Sequence, residues 1–562
     1  MSSAPAEHRA AGSARPADGK PVPPGRPGGR PYGSAWTAAV ARLGPVLVPA
    51  AVMAVAGIWG LARDSSMGND EVATRWAALL SLRELAHLLR HVDAVHGLYY
   101  LLMHGWAVIG SSPTVLRIPS VLSMTVAAGL IAIIARRLTG SGWAALFASL
   151  IMALTPSISY YAQTARSYAL VFACVLGATL ALLHAMNAEA AQADQRAIRR
   201  RWLLYAALMT VAGYLNEMAL LVLAAHAITV LLARYGRWAV GHWAVAAAVS
   251  AAATLPLLAL SVLQHGAVSW IGRPGLAALR VLFHDYFGAT TVVGALVVVC
   301  AVVAVLPPPG AWRKRPADAI EPADAAVSPA DSAARPASAW WRSGGLSLSS
   351  VAAPLLVVPA FLLLLESVVA RPLYVDRYVL YGEAGAALLA GAGVYRIGQW
   401  LSRAEGRRAL IWVPGAVLCA CALVLQLAPQ QRIRTPQSRA YDFGGPSRYV
   451  AAHAHSGDGV LYFGTLFRKA ELGYPADFRK VTDFGVALSP MQAGNFRGTD
   501  KPFSLTGPLM LRYRRIWVIG LRPAASLPAG LLRQQSTLLQ RDFILIASRH
   551  FRGMTVTLWL RR

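Results

Sequence analysis

Two adjacent carboxylates, Asp70 and Glu71, follow directly on an uncharged stretch of the chain. A carboxylate at a membrane surface loses hydration unless it has a partner or a task. Asp70 or Glu71 could cap the helix that follows, where unpaired N–H groups and the helix dipole favour an anion. Either could instead take a proton from a hydroxyl as a general base. A second constellation is Tyr160-Tyr161-Ala162-Gln163-Thr164-Ala165-Arg166-Ser167-Tyr168. Its Arg166 suits an anionic head group or simply snorkels from a helix end. A third, Arg371 to Tyr378, brings Arg377 and Tyr378 to the edge of an apolar run, with Asp376 and Glu366 as nearby partners. Glu383 lies inside that run, and an intramembrane carboxylate points to function by default, although pairing with Arg377 would satisfy it. The fourth is Asp93-Ala94-Val95-His96 followed by Tyr99-Tyr100. Asp-x-x-His offers two metal-ligand types, but no matching pair in the loop completes a set, which favours a structural role.

The elements that must position these groups are membrane helices. The chain has 562 residues, of which 56% are hydrophobic and 14% charged, whereas a soluble protein carries roughly a quarter charged residues. The apolar excess is concentrated in uncharged runs near the ~20 residues that cross a bilayer core. These runs are 45–62, 118–135, 142–160, 167–186, 202–216, 218–233, 243–263, 288–306, 347–365, 379–395 and 409–427. The net charge of +27 comes mainly from Arg clusters between the runs and near the C-terminus. That placement is a topology signal and argues against nucleic acid as a partner.

The basic clusters 136–137, 196–201, 234–237, 313–315 and 403–408 share one side with the basic N-terminal tail only if 202–233 turns back near Asn216-Glu217. About eleven spans follow, with the clusters and the N-terminus in the cytoplasm and the C-terminus outside. The fold class expected is mainly α, a polytopic helical membrane protein with a small C-terminal extracytoplasmic α/β domain. Residues 1–44 read as a disordered cytoplasmic tail with no cleavable signal, 45–427 as the membrane module and 307–345 as a disordered cytoplasmic linker. Residues 428–562 form the outer domain, with strands at Val460–Phe463, Ile516–Gly520, Phe543–Ser548 and Met554–Leu560, and helices near 445–455 and 529–540. In the outer loop 63–117, Trp76 to Leu89 follows the spacing of an interfacial amphipathic helix, with Arg83, His87 and Arg90 on its polar face, and 96–108 reads as a second. All four cysteines lie in apolar runs as small filler.

The order of these motifs resembles a family. After the first span comes a long outer loop opening with Asp70-Glu71, then Asp93-x-x-His96 and Tyr99-Tyr100. Leu116-Arg117-Ile118-Pro119-Ser120 enters the second span, the Tyr-x-Gln-x-x-Arg-x-Tyr turn follows the third, and Arg377-Tyr378 precedes a late one. This resembles the GT-C glycosyltransferases of glycosyltransferase family 39 type, relatives of protein O-mannosyltransferases and lipid A aminoarabinose transferases, over about residues 45–400. The resemblance implies an enzyme that transfers a sugar, mannose or a similar hexose, from a polyprenyl-phosphate donor to an acceptor glycan, lipid or protein hydroxyl outside the plasma membrane, in building the cell envelope. It implies Asp70 as general base with Glu71 in the same motif, inversion at the anomeric carbon, and Arg377 and Tyr378 on the donor phosphate. Arg166, Tyr168, Asp93, His96 and Arg117 are the further substrate-binding candidates. The resemblance names no certain cofactor, and a divalent cation is compatible with it. Two departures stand out: Thr164 where the family often has an acidic residue, and Gly97-Leu98 where it often has Pro-Pro.

Two other classes compete, a lipid-linked sugar flippase and a non-catalytic scaffold displaying 428–562. A transporter favours inverted repeats and interrupted midplane helices, whereas the polar motifs here gather at one face and no repeat is visible. A scaffold leaves Asp70, Glu71 and Arg377 without a purpose. The Arg distribution predicts that, on a cysteine-free background, single cysteines at positions 325 and 500 react with impermeant maleimide from opposite sides. Labelling from one side would sink the topology.

Overall fold

A computed structural model describes residues 33–62, 66–306, 345–521 and 530–562. The linker expected over 307–345 lies outside the described residues up to 344, and the expected tail does so up to 32; from Gly33 the chain is helical. The membrane module opens with α1 (Gly33–Ile58), α2 (Asn69–Leu79), α3 (Leu82–His91), α4 (Gly97–Trp106), α5 (Pro113–Thr139) and α6 (Gly142–Leu154). It continues through α7 (Pro156–Ala162), α8 (Tyr168–Ala190), α9 (Gln195–Leu215), α10 (Val222–Ala233) and α11 (Arg237–Leu263). The helices α12 (Leu276–Phe287), α13 (Thr291–Val305), α14 (Leu348–Val369), α15 (Glu383–Ala404) and α16 (Val413–Leu425) complete it.

Every apolar run read from the sequence is helical, but the span count is lower by length and apolarity. Among the described residues five helices are long and apolar enough to cross a membrane, or seven if the bent pairs α6–α7 and α12–α13 each make one span. Leu43–Ile58 and Glu217–Ala233 are apolar but shorter. The pairs bend by 69° and 71°, so part of the loop expected at 264–287 is helix α12. The break expected near Asn216-Glu217 is present: α9 ends at Leu215, and the Asn216 Oδ1 accepts the Met218 N–H at 3.0 Å. The single amphipathic helix expected from Trp76 to Leu89 is two. Ser81 caps α3, its hydroxyl accepting from the Glu84 N–H at 3.3 Å while the Glu84 carboxylate accepts the Ser81 N–H at 2.9 Å. Reciprocal capping of this kind starts a new helix wherever the previous one stops.

The centre of the module is α15, buried almost without interruption from Glu383 to Val394. Glycine permits this. A Cβ at Gly391 would strike the Ala148 backbone of α6, and one at Gly393 would strike the Cys300 carbonyl of α13. Without a hydrophobic drive between helices in lipid, close backbone approach through small residues is what holds them together.

The C-terminal domain has a five-stranded sheet, ordered β2-β1-β5-β7-β6, from β1 (Asp458–Phe463), β2 (Val481–Asp483), β5 (Arg515–Gly520), β6 (Phe543–Phe551) and β7 (Met554–Arg561). The short hairpin β3 (Val486–Leu488) and β4 (Thr499–Asp500) stands apart. β1 is parallel to β2 and β5, while β7 runs antiparallel to β5 and β6. The helices α17 (Leu427–Arg432), α18 (Gly444–His453), α19 (Lys469–Gly473), α20 (Phe503–Met510) and α21 (Leu531–Asp542) surround it. One core, built on Val460, Trp517 and Val556, also takes in Met67 and Val72 from the entry to α2 and its first turn. Ala73, Ala77 and Ala78 on α2 belong instead to the core of the membrane module. The α2 helix is therefore held between two hydrophobic cores.

Gly393→Leu should force α15 off α13 and cost about 1–3 kcal/mol or more, read as a lower thermal midpoint in detergent. Gly241 on α11 has open space where a Cβ would go, so Gly241→Ala should leave the midpoint unchanged or raise it slightly. Equal midpoints for the two variants would refute the close-packed role of α15.

Candidate active site

Glu71 sits in the first turn of α2 and is 2% exposed. Its Oε1 accepts from Arg117 Nε at 2.8 Å and the Ala165 N–H at 3.1 Å. Its Oε2 accepts from Arg117 Nη2 at 3.0 Å, Arg439 Nη1 at 2.7 Å and the Gly68 N–H at 3.1 Å. Burial raises a carboxyl pKa, but Arg117 and Arg439 outweigh it and hold Glu71 down at about 2. The capping role open to either carboxylate belongs to Glu71, through Gly68. Its acceptor positions are filled. Arg117, expected on the substrate, is 1% exposed and committed to Glu71 and the Ser66 carbonyl, 2.8 Å away.

Asp70, one residue earlier, has a different environment. Its side chain is 29% exposed, and its nearest cation is Arg377, with Nη2 to Oδ2 at 3.8 Å. Asn69 Nδ2 lies 3.4 Å from its Oδ1. Burial raises this carboxyl too, yet Arg377 first, then Arg166 and Lys469, bring it down to about 2. Arg377 donates from Nε to the Tyr168 hydroxyl at 2.9 Å. Its guanidinium also lies 5.7–5.8 Å from the ring centres of Tyr168, Trp270 and Tyr378. The partners expected for Arg377 are otherwise engaged or absent. Asp376 accepts from the Tyr161 hydroxyl at 3.3 Å, and both Glu383 oxygens are buried without a hydrogen-bond partner among the described residues.

The turn between α7 and α8 carries Arg166 to the same place. Gln163 fastens the turn to the end of α1, donating to the carbonyls of Gly57 at 2.9 Å and Trp59 at 2.8 Å. Arg166 Nη1 donates to the Tyr100 hydroxyl at 2.7 Å, Nη2 lies 3.3 Å from Asp93, and Tyr100 donates to Asp93 at 2.5 Å. Asp93 adopts φ 60°, a left-handed conformation that Asp tolerates better than most residues. Its carboxylate bonds help hold the chain there. His96 is buried, with Nδ1 unpartnered among the described residues, and burial together with Arg166 pushes its pKa down to about 3, so the ring is neutral. Among the described residues no group of three or more His, Cys, Asp or Glu side chains could hold a metal ion.

The C-terminal domain reaches this cluster. Lys469, at the start of α19, donates to Asn69 Oδ1 at 2.8 Å. Arg75 Nη1 donates to the Gly473 carbonyl at 3.1 Å, and the Met67 N–H donates to the Tyr474 hydroxyl at 2.7 Å. Phe496 meets Trp76 edge-on at 5.5 Å.

Asp70, Arg377, Tyr378, Tyr168, Arg166, Asp93 and His96 thus converge around the N-terminal end of α2, although they come from four separate stretches of sequence. Glu71 and Arg117 form a separate buried pair behind them. Sequence reasoning did not select Arg439 or Lys469. The only signal for Lys469 is rarity, since it is one of five lysines among 53 basic residues.

A family model described as Dolichyl-phosphate-mannose-protein mannosyltransferase matches residues 96–260. No curated protein sequence matches the chain. Two solved structures are similar in fold, both ArnT from Cupriavidus metallidurans. The apo state has a TM-score of 0.53, and the form bound to undecaprenyl phosphate has 0.55. Each is 14% identical in sequence, with 92% of this chain and 98% of that chain covered. The chain therefore has an ArnT-like fold, and its residues 96–260 are similar in sequence to the family described as Dolichyl-phosphate-mannose-protein mannosyltransferase.

Proposed function

We propose that the protein is a membrane glycosyltransferase that moves a sugar from a polyprenyl-phosphate donor to an acceptor hydroxyl on the outer face of the plasma membrane, with Asp70 as general base. The observation that carries this reading is the contrast between neighbouring carboxylates: Glu71 has its acceptor positions filled, while Asp70 is partly exposed and faces Arg377 at 3.8 Å. The solved ArnT bound to undecaprenyl phosphate supports the donor class.

Polyprenyl phosphate is already a good leaving group. The protein must remove the acceptor's proton and stabilise charge on the departing phosphate. Asp70 takes the proton as the acceptor oxygen attacks the anomeric carbon from the face opposite the phosphate, so the C–O bond to phosphate breaks with inversion. Arg377, with Tyr168 and Tyr378 around it, receives the phosphate. A carboxylate held at about 2 is a weak base. Donor binding changes that, because phosphate draws the guanidinium charge away from Asp70 and leaves the carboxylate more basic. Glu71 and Arg117 are positioning residues in this scheme. Mannose, a similar hexose or aminoarabinose all fit it.

Asp70→Asn should reduce transfer by about two to four orders of magnitude, measured with radiolabelled undecaprenyl-phosphate mannose and undecaprenyl-phosphate aminoarabinose as donors. Asn keeps the shape of Asp and leaves the cap at Glu71 untouched. Turnover by Asp70→Asn above about a tenth of the wild-type rate would place the base elsewhere. Glu71→Gln should instead lower the thermal midpoint, because two buried guanidinium groups lose their counter-charge at a cost of about 3–5 kcal/mol.

Arg377→Ala should weaken binding of undecaprenyl phosphate more than Arg377→Lys, since Lys keeps the charge but loses the forked geometry. Equal affinities for the wild type and both variants would make Arg377 a structural partner of Asp70 and Tyr168.

A further inference from the structure

Lys469 belongs to the C-terminal domain, about 400 residues beyond Asn69 in sequence, yet it lies in the polar cluster at the first turn of α2. It is 5% exposed. Its Nζ donates to Asn69 Oδ1 at 2.8 Å and approaches the Asn69 carbonyl at 3.5 Å. The Phe496 ring lies 5.0 Å away. No carboxylate is within ion-pair distance of Nζ among the described residues; the charges that act on it at longer range are Asp70, Asp93, Arg166 and Arg497. A neutral donor would serve Asn69 equally well if only a clip between domains were needed. Burying an ammonium without a direct counter-ion is costly, so its charge requires an explanation.

The seat of this ammonium is rigid. A Cβ added to Gly473 would meet Val72 of α2 at 2.9 Å, so α19 lies flat on α2. The bonds from Arg75 to the Gly473 carbonyl and from Met67 to Tyr474 fix the same contact at backbone level. Lys469 cannot drift from Asn69 while the domain stays docked.

We propose that Lys469 is a positioning residue for the reaction at Asp70, its ammonium holding Asn69 and supplying positive charge to the cluster, so that the site is complete only with the C-terminal domain in place. This rests on Asp70 being the base. The charge acts on Asp70 in the same direction as Arg377 and Arg166, while Asp93 acts on Lys469 itself. Burial lowers the Lys469 pKa to about 8, with Asp70 and Asp93 opposing that shift. The positive charge is therefore present below about pH 8 and lost above it. Asp70 must be ionised to act, so activity falls as pH drops through its pKa, and removing the Lys469 charge moves that acid limb to higher pH.

The test uses the full-length chain in detergent micelles, with radiolabelled undecaprenyl-phosphate mannose and aminoarabinose as donors. Lys469→Met should lower kcat at least tenfold with little change in KM, because the lost hold on Asn69 and the lost positive charge beside the departing phosphate outweigh a more basic Asp70. It should also shift the acid limb upward and abolish the alkaline limb near pH 8. Lys469→Arg should recover most of the rate and extend activity to more alkaline pH, since a guanidinium does not titrate there. Wild-type kcat and pH profile in Lys469→Met would overturn the proposal. So would equal loss of rate in both variants alongside a fall in thermal midpoint, the signature of a structural clip. If Lys469→Met does not fold, Lys469→Arg decides alone, and an alkaline limb unchanged from wild type overturns the inference. Activity retained in Asp70→Asn would count against the base itself, whereas an inactive Asp70→Asn beside an unaltered Lys469→Met would count only against Lys469.

Discussion

The carboxylate of Glu71 is the constraint on which the rest of the site depends. A buried carboxylate is tolerated only when its charge is balanced and its lone pairs are engaged. Glu71 meets both conditions with groups from four parts of the chain: Arg117 on α5, Arg439 on the approach to the C-terminal domain, the Ala165 N–H beyond α7 and the Gly68 N–H before α2. Displacing any of these costs the buried carboxylate a hydrogen bond or part of its counter-charge. One side chain thereby ties together the membrane helices, the outer loop and the sheet domain.

Consecutive residues on an α-helix point about 100° apart. Fixing Glu71 inward therefore directs Asp70 onto a different side, toward Arg377. The two carboxylates have the same charge and opposite situations. Glu71 has spent its acceptor capacity on the fold, whereas Asp70 faces a cation that is itself 22% exposed and ringed by Tyr168, Trp270 and Tyr378. Burial in two cores prevents α2 from rotating and exchanging these roles.

The helical architecture was legible because the signal that specifies it is local. Uncharged runs marked the long apolar helices but not α12, which Arg280, His284 and Asp285 interrupt, and period-two alternation marked β1, β5, β6 and β7 within a few residues. The sharp bends between α6 and α7 and between α12 and α13, 69° and 71°, were not read from the apolar runs. Asp70, Arg166 and Arg377 could be found because a charge at the edge of an apolar run is conspicuous. The division of labour between Asp70 and Glu71 could not, since it depends on Arg439, 368 positions away from Glu71 in the sequence. Lys469 lies in a segment with an ordinary soluble composition, where only the scarcity of lysine in this chain sets it apart.

The charge balance of the assembled site gives the arrangement its direction. Arg117, Arg439, Arg166, Arg377 and Lys469 are five cations facing three carboxylates, Glu71, Asp70 and Asp93, while His96 is neutral. The excess is not spread evenly. Glu71 takes the inner pair of guanidinium groups and Asp93 is bound to Arg166, which leaves Arg377 facing Asp70, with Lys469 acting on Asp70 and Asp93 at longer range. A low-dielectric pocket with surplus positive charge at its exposed end stabilises an anion far more than water does. A phosphodiester brings one negative charge, and a departing phosphate monoester carries up to two near neutral pH. On the proposed reading, the surplus is better matched to the product phosphate than to the intact donor, which is the condition for stabilising a transition state in which that charge is developing.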